Sequence, residues 1–217
     1  MANYQASKSV EVICFGEALI DRLGPLGGDE FLNNNVEDCY GGAPANVACA
    51  LARLGNQVAF AGSIGEDSIG RSFCNLMLNR GIDITSLQRN LEKPTRIVLV
   101  RRDLNGEREF HGFYGDNGEG FADEEIELNL LKEKWPQIAE KASWLVIGTI
   151  PLARISSAKV LHWILKSSEN HGLRIVLDLN WRSTFWGETF TLNSGPNQKA
   201  IDMISVKSII TIIKKYL

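Results

Sequence analysis

An α/β fold built on a parallel sheet is the fold class that this sequence predicts, and three observations point to it. Strand-length apolar runs alternate with helix-length amphipathic segments along most of the 217 residues. The strand-length runs are almost continuously apolar, as expected for strands that are covered on both faces. Apolar residues make up 44% of the chain, which suffices for one substantial core. We therefore expect a single domain with helices on both faces of the sheet.

The first elements follow from apolar runs and from glycine and proline signals. The run VEVICFGEALIDRL (10–23) predicts a central strand that ends in a loop carrying Glu17 and Asp21. Residues 24–40 are rich in glycine and asparagine and predict a turn plus an exposed strand. Pro44 is suited to the first turn of a helix that ends near Gly55, and the run VAFAGSIG predicts the next strand.

The second half continues the alternation. Residues 67–80 predict an amphipathic helix, capped by Asp67 and ended by Gly81. Residues 95–114 predict a hairpin that turns around Asn105–Gly106. An acidic segment and a short helix come next, followed by a buried strand (SWLVIGTI), a helix (ISSAKVLHWILKSSENHG) and another buried strand (LRIVLDLNW). The last stretch, 204–217, is unusually rich in isoleucine and lysine and departs from this plan.

Charge and composition narrow the class of partner. The net charge is −3, and acidic and basic residues are interspersed, so we expect neither a nucleic acid nor a membrane as partner. There is no signal-peptide-like start and no apolar run of membrane-spanning length, which favours a cytoplasmic location. The four cysteines lack a Cys-x-x-Cys spacing, and with the three histidines they form no metal-ligand pattern. A small molecule is the expected partner, and no metal site is predicted.

The segment YGGAPANVACALARLG (40–55) carries the strongest chemical signal. Gly41 and Gly42 lack a Cβ and let the backbone approach a ligand, and the helix start behind them offers N–H groups. Asn46 can donate to and accept from a diol, and Asp21 can accept from two hydroxyls at once. Such a mixed set suits a neutral polyol. The spacing alone is equally compatible with a plain turn followed by a proline helix start.

Four motifs in one order resemble the PfkB family of carbohydrate kinases, which have a ribokinase-like fold. They are GE-x-L-I-D, GG-x-P-A-N with its ALARLG helix, G-x-I-G-x-D-x-x-G, and D-L-N-W-R-x-x-x-W, spread over residues 10–203. The opening motif and D-L-N-W-R are similar to those of fructokinases, although 2-keto-3-deoxygluconate kinases share much of both. The resemblance does not distinguish between these sugars.

The resemblance implies roles for particular residues. Asp21, Gly41, Gly42 and Asn46 match sugar-binding positions, and Asn180 and Arg182 match positions near the sugar and the phosphates. A planar guanidinium suits anionic oxygens; the alternative for Arg182 is a structural ion pair with Asp178. The segments 24–40 and 95–114 correspond to a small β-sheet lid over the sugar, which in the family often mediates contacts between the two copies of a homodimer.

One glycine-rich segment has nearly the spacing of a nucleotide-binding P-loop, but its residues do not favour binding of phosphate. Residues 65–72, GEDSIGRS, have the spacing of that motif but carry arginine in place of its lysine. Glu66 and Asp67 would repel a triphosphate at the same place. We interpret this segment as a helix N-cap with contacts to the lid or to the edge of the substrate site.

The resemblance also implies ATP and Mg²⁺ for the intact family, together with a Gly-Ala-Gly-Asp motif that supplies the base and the anion hole. That motif does not occur in the 217 residues. We therefore expect a C-terminally truncated fold whose binding of ATP is doubtful, with no catalytic residue assigned. Three interpretations stay open: a sugar kinase by lineage that is inactive in this form, a non-catalytic sugar-binding remnant or pseudo-subunit, and an unrelated doubly wound α/β protein.

Overall fold

The structure is a computed structural model, and it describes residues 10–28, 35–115 and 120–180. In these ranges the chain forms two sheets and four α-helices. The strands are β1 (Val12–Phe15), β2 (Leu19–Leu26), β3 (Glu37–Gly41), β4 (Val58–Gly65), β5 (Leu87–Asn90), β6 (Ile97–Arg102), β7 (Arg108–Tyr114), β8 (Trp144–Gly148) and β9 (Arg174–Asp178). The helices are α1 (Ala43–Arg53), α2 (Ser68–Asn79), α3 (Leu128–Ala139) and α4 (Ile155–His171).

The larger sheet is parallel and has the strand order β5-β4-β1-β8-β9, so β1 is its central strand. Successive side chains of β1 point to opposite faces of the sheet. Val12 and Cys14 join the apolar cluster that contains residues of α1 and α2. Ile13 and Phe15 join the cluster that contains residues of α3 and α4. The predicted α/β class, with a parallel sheet covered by helices on both faces, is confirmed.

The smaller sheet has four strands in the order β3-β2-β6-β7. Its two central strands are parallel and its outer pairs are antiparallel. The predicted hairpin is confirmed, with a turn at Asp103–Gly106 in which Gly106 has a φ of 85°. The predicted loop around Asp21 was wrong, because this residue lies inside β2 and pairs with Cys39. The sheet thus begins at Leu19 and not at residue 24.

Three of the helices in the described ranges, α1, α2 and α4, begin or end where the local signals predict. Pro44 lies in the first turn of α1, and Asp67 caps α2 by accepting the N–H of Gly70 at 2.7 Å. Gly172, with a φ of 69°, ends α4 in the left-handed conformation. None of the helices in the described ranges has both the length and the apolar character that a membrane span requires.

One strand departs from its prediction in burial. The run around Leu177 predicts a buried strand, yet the residues of β9 alternate between exposed and half-buried. In the described part of the chain β9 is the outermost strand of its sheet and pairs only with β8. An apolar run indicates what a strand can bury, whereas its neighbours determine what is covered.

Candidate functional site

The carboxyl ends of β1, β8 and β9 meet at one edge of the parallel sheet. β4 and β5 lie on one side of β1, and β8 and β9 lie on the other. The strand order therefore reverses at β1, which makes this position a topological switch point. In open α/β sheets, ligands bind in the crevice outside the carboxyl ends of the strands at such a switch point. The N-terminus of α1 lies at the same edge, since Ala43 donates to Glu17 just after β1. This edge is therefore the candidate functional site.

Glu17 is the most unusual side chain at this edge. It is only 2% exposed; its Oε1 accepts the N–H of Ala43 at 3.0 Å, while its Oε2 is buried without a hydrogen-bond partner among the described groups. The pKa of Glu17 is raised to about 7, chiefly by burial and to a smaller extent by the nearby Asp123 carboxylate. The N–H groups of Glu17 and Ala43 and the charge of Arg96 act in the opposite direction. Protonated and ionised forms are therefore both populated near neutral pH.

Gly41 and Gly42 lie where the segment 41–43 passes close to the segment 17–21, and we call this close approach the crossing. Gly42 has a φ of 96°, and a Cβ at this position would lie 2.4 Å from the carbonyl oxygen of Glu17. A Cβ at Gly41 would lie 2.7 Å from Oδ2 of Asp21. Gly42 is therefore required by packing against backbone, whatever it does toward a ligand, whereas at Gly41 the neighbouring atoms belong to the side chains of Asp21 and Leu19 and can move. This reason is additional to the ligand approach that the sequence predicts.

Four predicted site residues lie along this crossing. Asp21 borders Gly41, and the backbone N–H of Asn46 donates to the carbonyl oxygen of Gly42 at 2.9 Å. The side chain of Asp21 is half-buried, whereas Asn46 is exposed in the first turn of α1. The structure thus brings Asp21, Gly41, Gly42 and Asn46 to the N-terminal end of α1.

Of the other two predicted residues, Asn180 follows closely after β9. The N–H of Asn180 donates to Oδ1 of Asp178 at 3.0 Å, and the hydroxyl of Thr149 donates to the carbonyl oxygen of Leu179 at 2.9 Å. Asn180 is therefore on the same edge as Glu17, although β9 is two strands away from β1. Arg182 lies outside the described residues, and its predicted role stays a prediction.

A buried ion-pair network lies beside Glu17 and was not predicted from the sequence. Arg96 donates to both carboxylate oxygens of Asp123, at 2.9 and 2.8 Å, and to Glu124 at 2.7 Å. Its guanidinium carbon lies 4.8 Å from the ring centre of Phe113 and 4.3 Å from that of Phe121. The only available signal was an arginine directly before the apolar run of β6. Sequence alone does not reveal which charged residue such a run carries into the interior.

The glycine-rich segment 65–72 forms an N-cap that contacts the smaller sheet. Asp67 accepts from Gly70, and it also accepts the N–H of Thr95 at 2.6 Å, just before β6. The N–H of Gly65 donates to the hydroxyl of Thr95, and that of Glu66 donates to the carbonyl oxygen of Asn90. These N–H groups are engaged within the protein and do not form a phosphate cradle. In the described ranges, no three His, Cys, Asp or Glu residues are arranged to hold a metal ion.

Solved structures with a similar fold define the class of protein. The fold is that of sugar kinases with a ribokinase-like architecture. A fructokinase from Xylella fastidiosa matches with a TM-score of 0.74 and 27% identity, over 90% of this chain and 57% of that one. A sugar kinase from Pyrococcus horikoshii, solved in complex with ATP, matches with a TM-score of 0.74 and 27% identity, over 91% of this chain and 60% of that one.

The sequence comparison then identifies the family. Residues 10–196 match the family model described as pfkB family carbohydrate kinase, so the chain belongs to this family. Probable fructokinase-5 from Arabidopsis thaliana is 29% identical over 179 residues, which are 82% of this chain and 53% of the relative. The chain spans about half the length of the curated relatives that it matches. The predicted resemblance and fold class are thereby confirmed.

Proposed function

We propose that this chain carries the sugar-binding part of an ATP-dependent, fructokinase-like sugar kinase. The observation that supports this proposal is that Asp21, Gly41, Gly42 and Asn46 lie together at the N-terminal end of α1, on the sheet edge where open α/β folds bind their ligands. The carboxylate of Asp21 accepts from sugar hydroxyls, and the side-chain amide of Asn46 both donates and accepts. Asn180, which follows β9, and Arg182, further along the sequence, serve the sugar and the transferred phosphate.

The smaller sheet acts as the lid in this proposal. Asp21 belongs to this sheet while Asn46 belongs to the α/β body, so a sugar that contacts both residues bridges the two parts. Closure of such a lid excludes water from the sugar and orients it. Contact between two copies of the chain through this sheet stays a prediction from the resemblance.

The phosphoryl-transfer step is a separate question. ATP and Mg²⁺ belong to the proposed reaction by family membership, and two of the solved neighbours contain ATP. The sequence holds no Gly-Ala-Gly-Asp, the segment that the resemblance assigns to the base and the anion hole. We therefore propose that these 217 residues by themselves bind the sugar without phosphorylating it. The same observation supports the second candidate, a non-catalytic sugar-binding subunit.

Calorimetric titration with D-fructose tests the sugar site. We expect the wild-type chain to bind, and Asn46→Ala to bind about tenfold more weakly, because one exposed amide supplies two hydrogen bonds to the diol. Asn75→Ala removes an exposed asparagine from α2 and is the matched control that should leave binding unchanged. Equal affinities for wild type and Asn46→Ala, or no binding by the wild type, would contradict the proposed site.

A coupled assay with ATP, Mg²⁺ and a panel of ketoses tests the catalytic part of the proposal. No sugar phosphate should form with the 217-residue chain. Turnover at ordinary kinase rates, of order 1 s⁻¹ or more, would show that the chain has its own catalytic base. Sugar binding without turnover, together with co-purification of a full-length relative, would favour the non-catalytic subunit.

A further inference from the structure

A small polar cavity lies directly beside Glu17. Its volume is about 10 Å³, and its walls include Glu17, Arg96, Asp123, Arg154 and Ser157. A space of this size accommodates one water molecule when several polar groups surround it. The cavity thus lies between Glu17 and the buried Arg96–Asp123 ion pair.

Most polar groups around this cavity already have partners. Arg96 is bound by Asp123 and Glu124, and Nε of Arg154 lies 3.2 Å from Glu124. The hydroxyl of Ser157 donates to the carbonyl oxygen of Pro151 at 2.7 Å. The exception in the described part of the chain is Oε2 of Glu17. An unpartnered buried carboxylate oxygen is costly, so this atom requires either a donor or a proton.

We propose that Glu17 is a positioning residue of the sugar site: one oxygen fixes the Gly41–Ala43 crossing, the other faces a water in this cavity, and the carboxylate takes up a proton when sugar binds. The inference rests on the proposed function, and it adds a pH-dependent control of that site. One proton passes from the buffer to Oε2 of Glu17 when the sugar binds, and no covalent bond of the sugar changes.

The surroundings of Glu17 determine the direction in which its pKa changes when a sugar binds. Four charged residues face it from the packed elements: Arg96 before β6, Asp123 and Glu124 before α3, and Arg154 before α4. Its pKa in the ligand-free protein is already raised to about 7, chiefly by burial. Glu17 itself has almost no exposed surface, so a sugar acts on it by displacing the solvent that lies just beyond the atoms enclosing the carboxylate, and this disfavours the ionised form again. The pKa therefore rises on binding, protons are taken up, and sugar affinity falls as the pH increases through 7.

Calorimetry in two buffers of different ionisation enthalpy measures this proton uptake directly. For D-fructose we expect uptake near pH 7 and a Kd about tenfold larger at high than at low pH if the pKa rises by roughly one unit. Glu17→Gln keeps a carbonyl oxygen for the N–H of Ala43 and cannot titrate. It should bind fructose with a Kd that does not change with pH and without proton uptake. Glu127→Gln, which neutralises an exposed carboxylate, should behave like the wild type.

Two results would overturn the inference: fructose binding by the wild type without proton uptake, or the same uptake in Glu17→Gln. A purely structural role of Glu17 would change affinity without linking it to pH. Absence of fructose binding at every pH would instead contradict the proposed function. The titration of Glu17 by ¹³C NMR in the ligand-free protein does not depend on sugar. A midpoint near 7 supports the inference, and one near the ordinary value of about 4.3 overturns it.

Discussion

Gly42 and Gly55 both have a positive φ, 96° and 90°, but only Gly42 packs against another segment of backbone. A Cβ at Gly42 would lie 2.4 Å from the carbonyl oxygen of Glu17, whereas a Cβ at Gly55 would meet nothing within 4 Å. Gly55 therefore requires only a positive φ, whereas Gly42 requires a positive φ and also the absence of a Cβ. At the scale of single residues, the candidate site depends on a crossing that no side chain can enter.

Replacing each glycine by alanine tests this distinction. Gly55→Ala should cost about 1 kcal/mol of unfolding free energy, since alanine tolerates a left-handed backbone poorly. Gly42→Ala should cost about 2 kcal/mol more, because the Cβ forces the crossing segments apart, and it should also abolish fructose binding. Urea unfolding measures the first effect and calorimetry the second. Equal destabilisation by the two substitutions would show that the crossing is not tight.

The residues of the site were predictable only in part. Asp21, Gly41, Gly42 and Asn46 stand in motifs whose order and spacing are informative, and the structure places them along one crossing. Glu17 was noted at the end of the first strand but not as a buried carboxyl group. Its pKa depends on how completely β1, β8 and α1 enclose it, which is a property of the packed fold.

At the scale of elements, local signals predicted what local interactions determine. α2 was predictable from its Asp67 cap and its apolar periodicity, and α1 from Pro44 in its first turn and Gly55 after its end. β2 was missed because its segment includes Gly24 and Pro25, which predict a turn, and because its neighbour β6 comes much later in the chain. The burial of β9 was overestimated because the coverage of a strand is set by its neighbours. Long-range pairing is the part that composition and periodicity do not encode.

The motif around Asp67 connects two elements that are far apart in the sequence. Oδ1 of Asp67 accepts from Gly70 in α2 and from the hydroxyl of Thr95, and Oδ2 accepts the N–H of Thr95 before β6. A Cβ at Gly70 would lie 2.0 Å from the carbonyl oxygen of Gly65, which explains the glycine at this position. The motif thus anchors one end of the smaller sheet to the start of α2.

Asp67→Asn tests the contact of Asp67 with Thr95 separately from its capping contact with Gly70. Asparagine caps helices about as well as aspartate, but its NH₂ group cannot accept the N–H of Thr95. We expect a loss of about 1–3 kcal/mol and faster amide hydrogen exchange at Thr95 than at Gly70. Asp83→Asn, which alters a single turn contact to Thr85, is the control and should change stability by about 0.5 kcal/mol or less. Unchanged exchange at Thr95 would contradict the anchor.

At the scale of the whole molecule, two bidentate arginine–aspartate pairs differ mainly in burial. Arg96–Asp123 has side-chain exposures of 2% and 4% and lies where the smaller sheet joins the α/β body. Arg22–Asp38 has exposures of 24% and 39% and lies within the smaller sheet. Removing one partner of a buried pair leaves an uncompensated charge, whereas solvent screens the survivor of an exposed pair. Geometry alone would rank the two pairs as equal.

Matched substitutions in the two pairs measure how strongly the smaller sheet is held to the body. Asp123→Asn leaves Arg96 with Glu124 as counter-charge and should destabilise the protein by about 2–3 kcal/mol, and Asp38→Asn should cost about 1 kcal/mol or less. Urea unfolding at two salt concentrations provides the comparison, because added salt should weaken the contribution of the Arg22–Asp38 pair more than that of Arg96–Asp123. Replacing Arg96 and Asp123 together by Met and Leu should restore much of the lost stability, since both charges of the pair are then removed and Glu124 keeps Arg154 as its partner. If both single variants lost the same free energy, the Arg96–Asp123 pair would not be the attachment of the sheet.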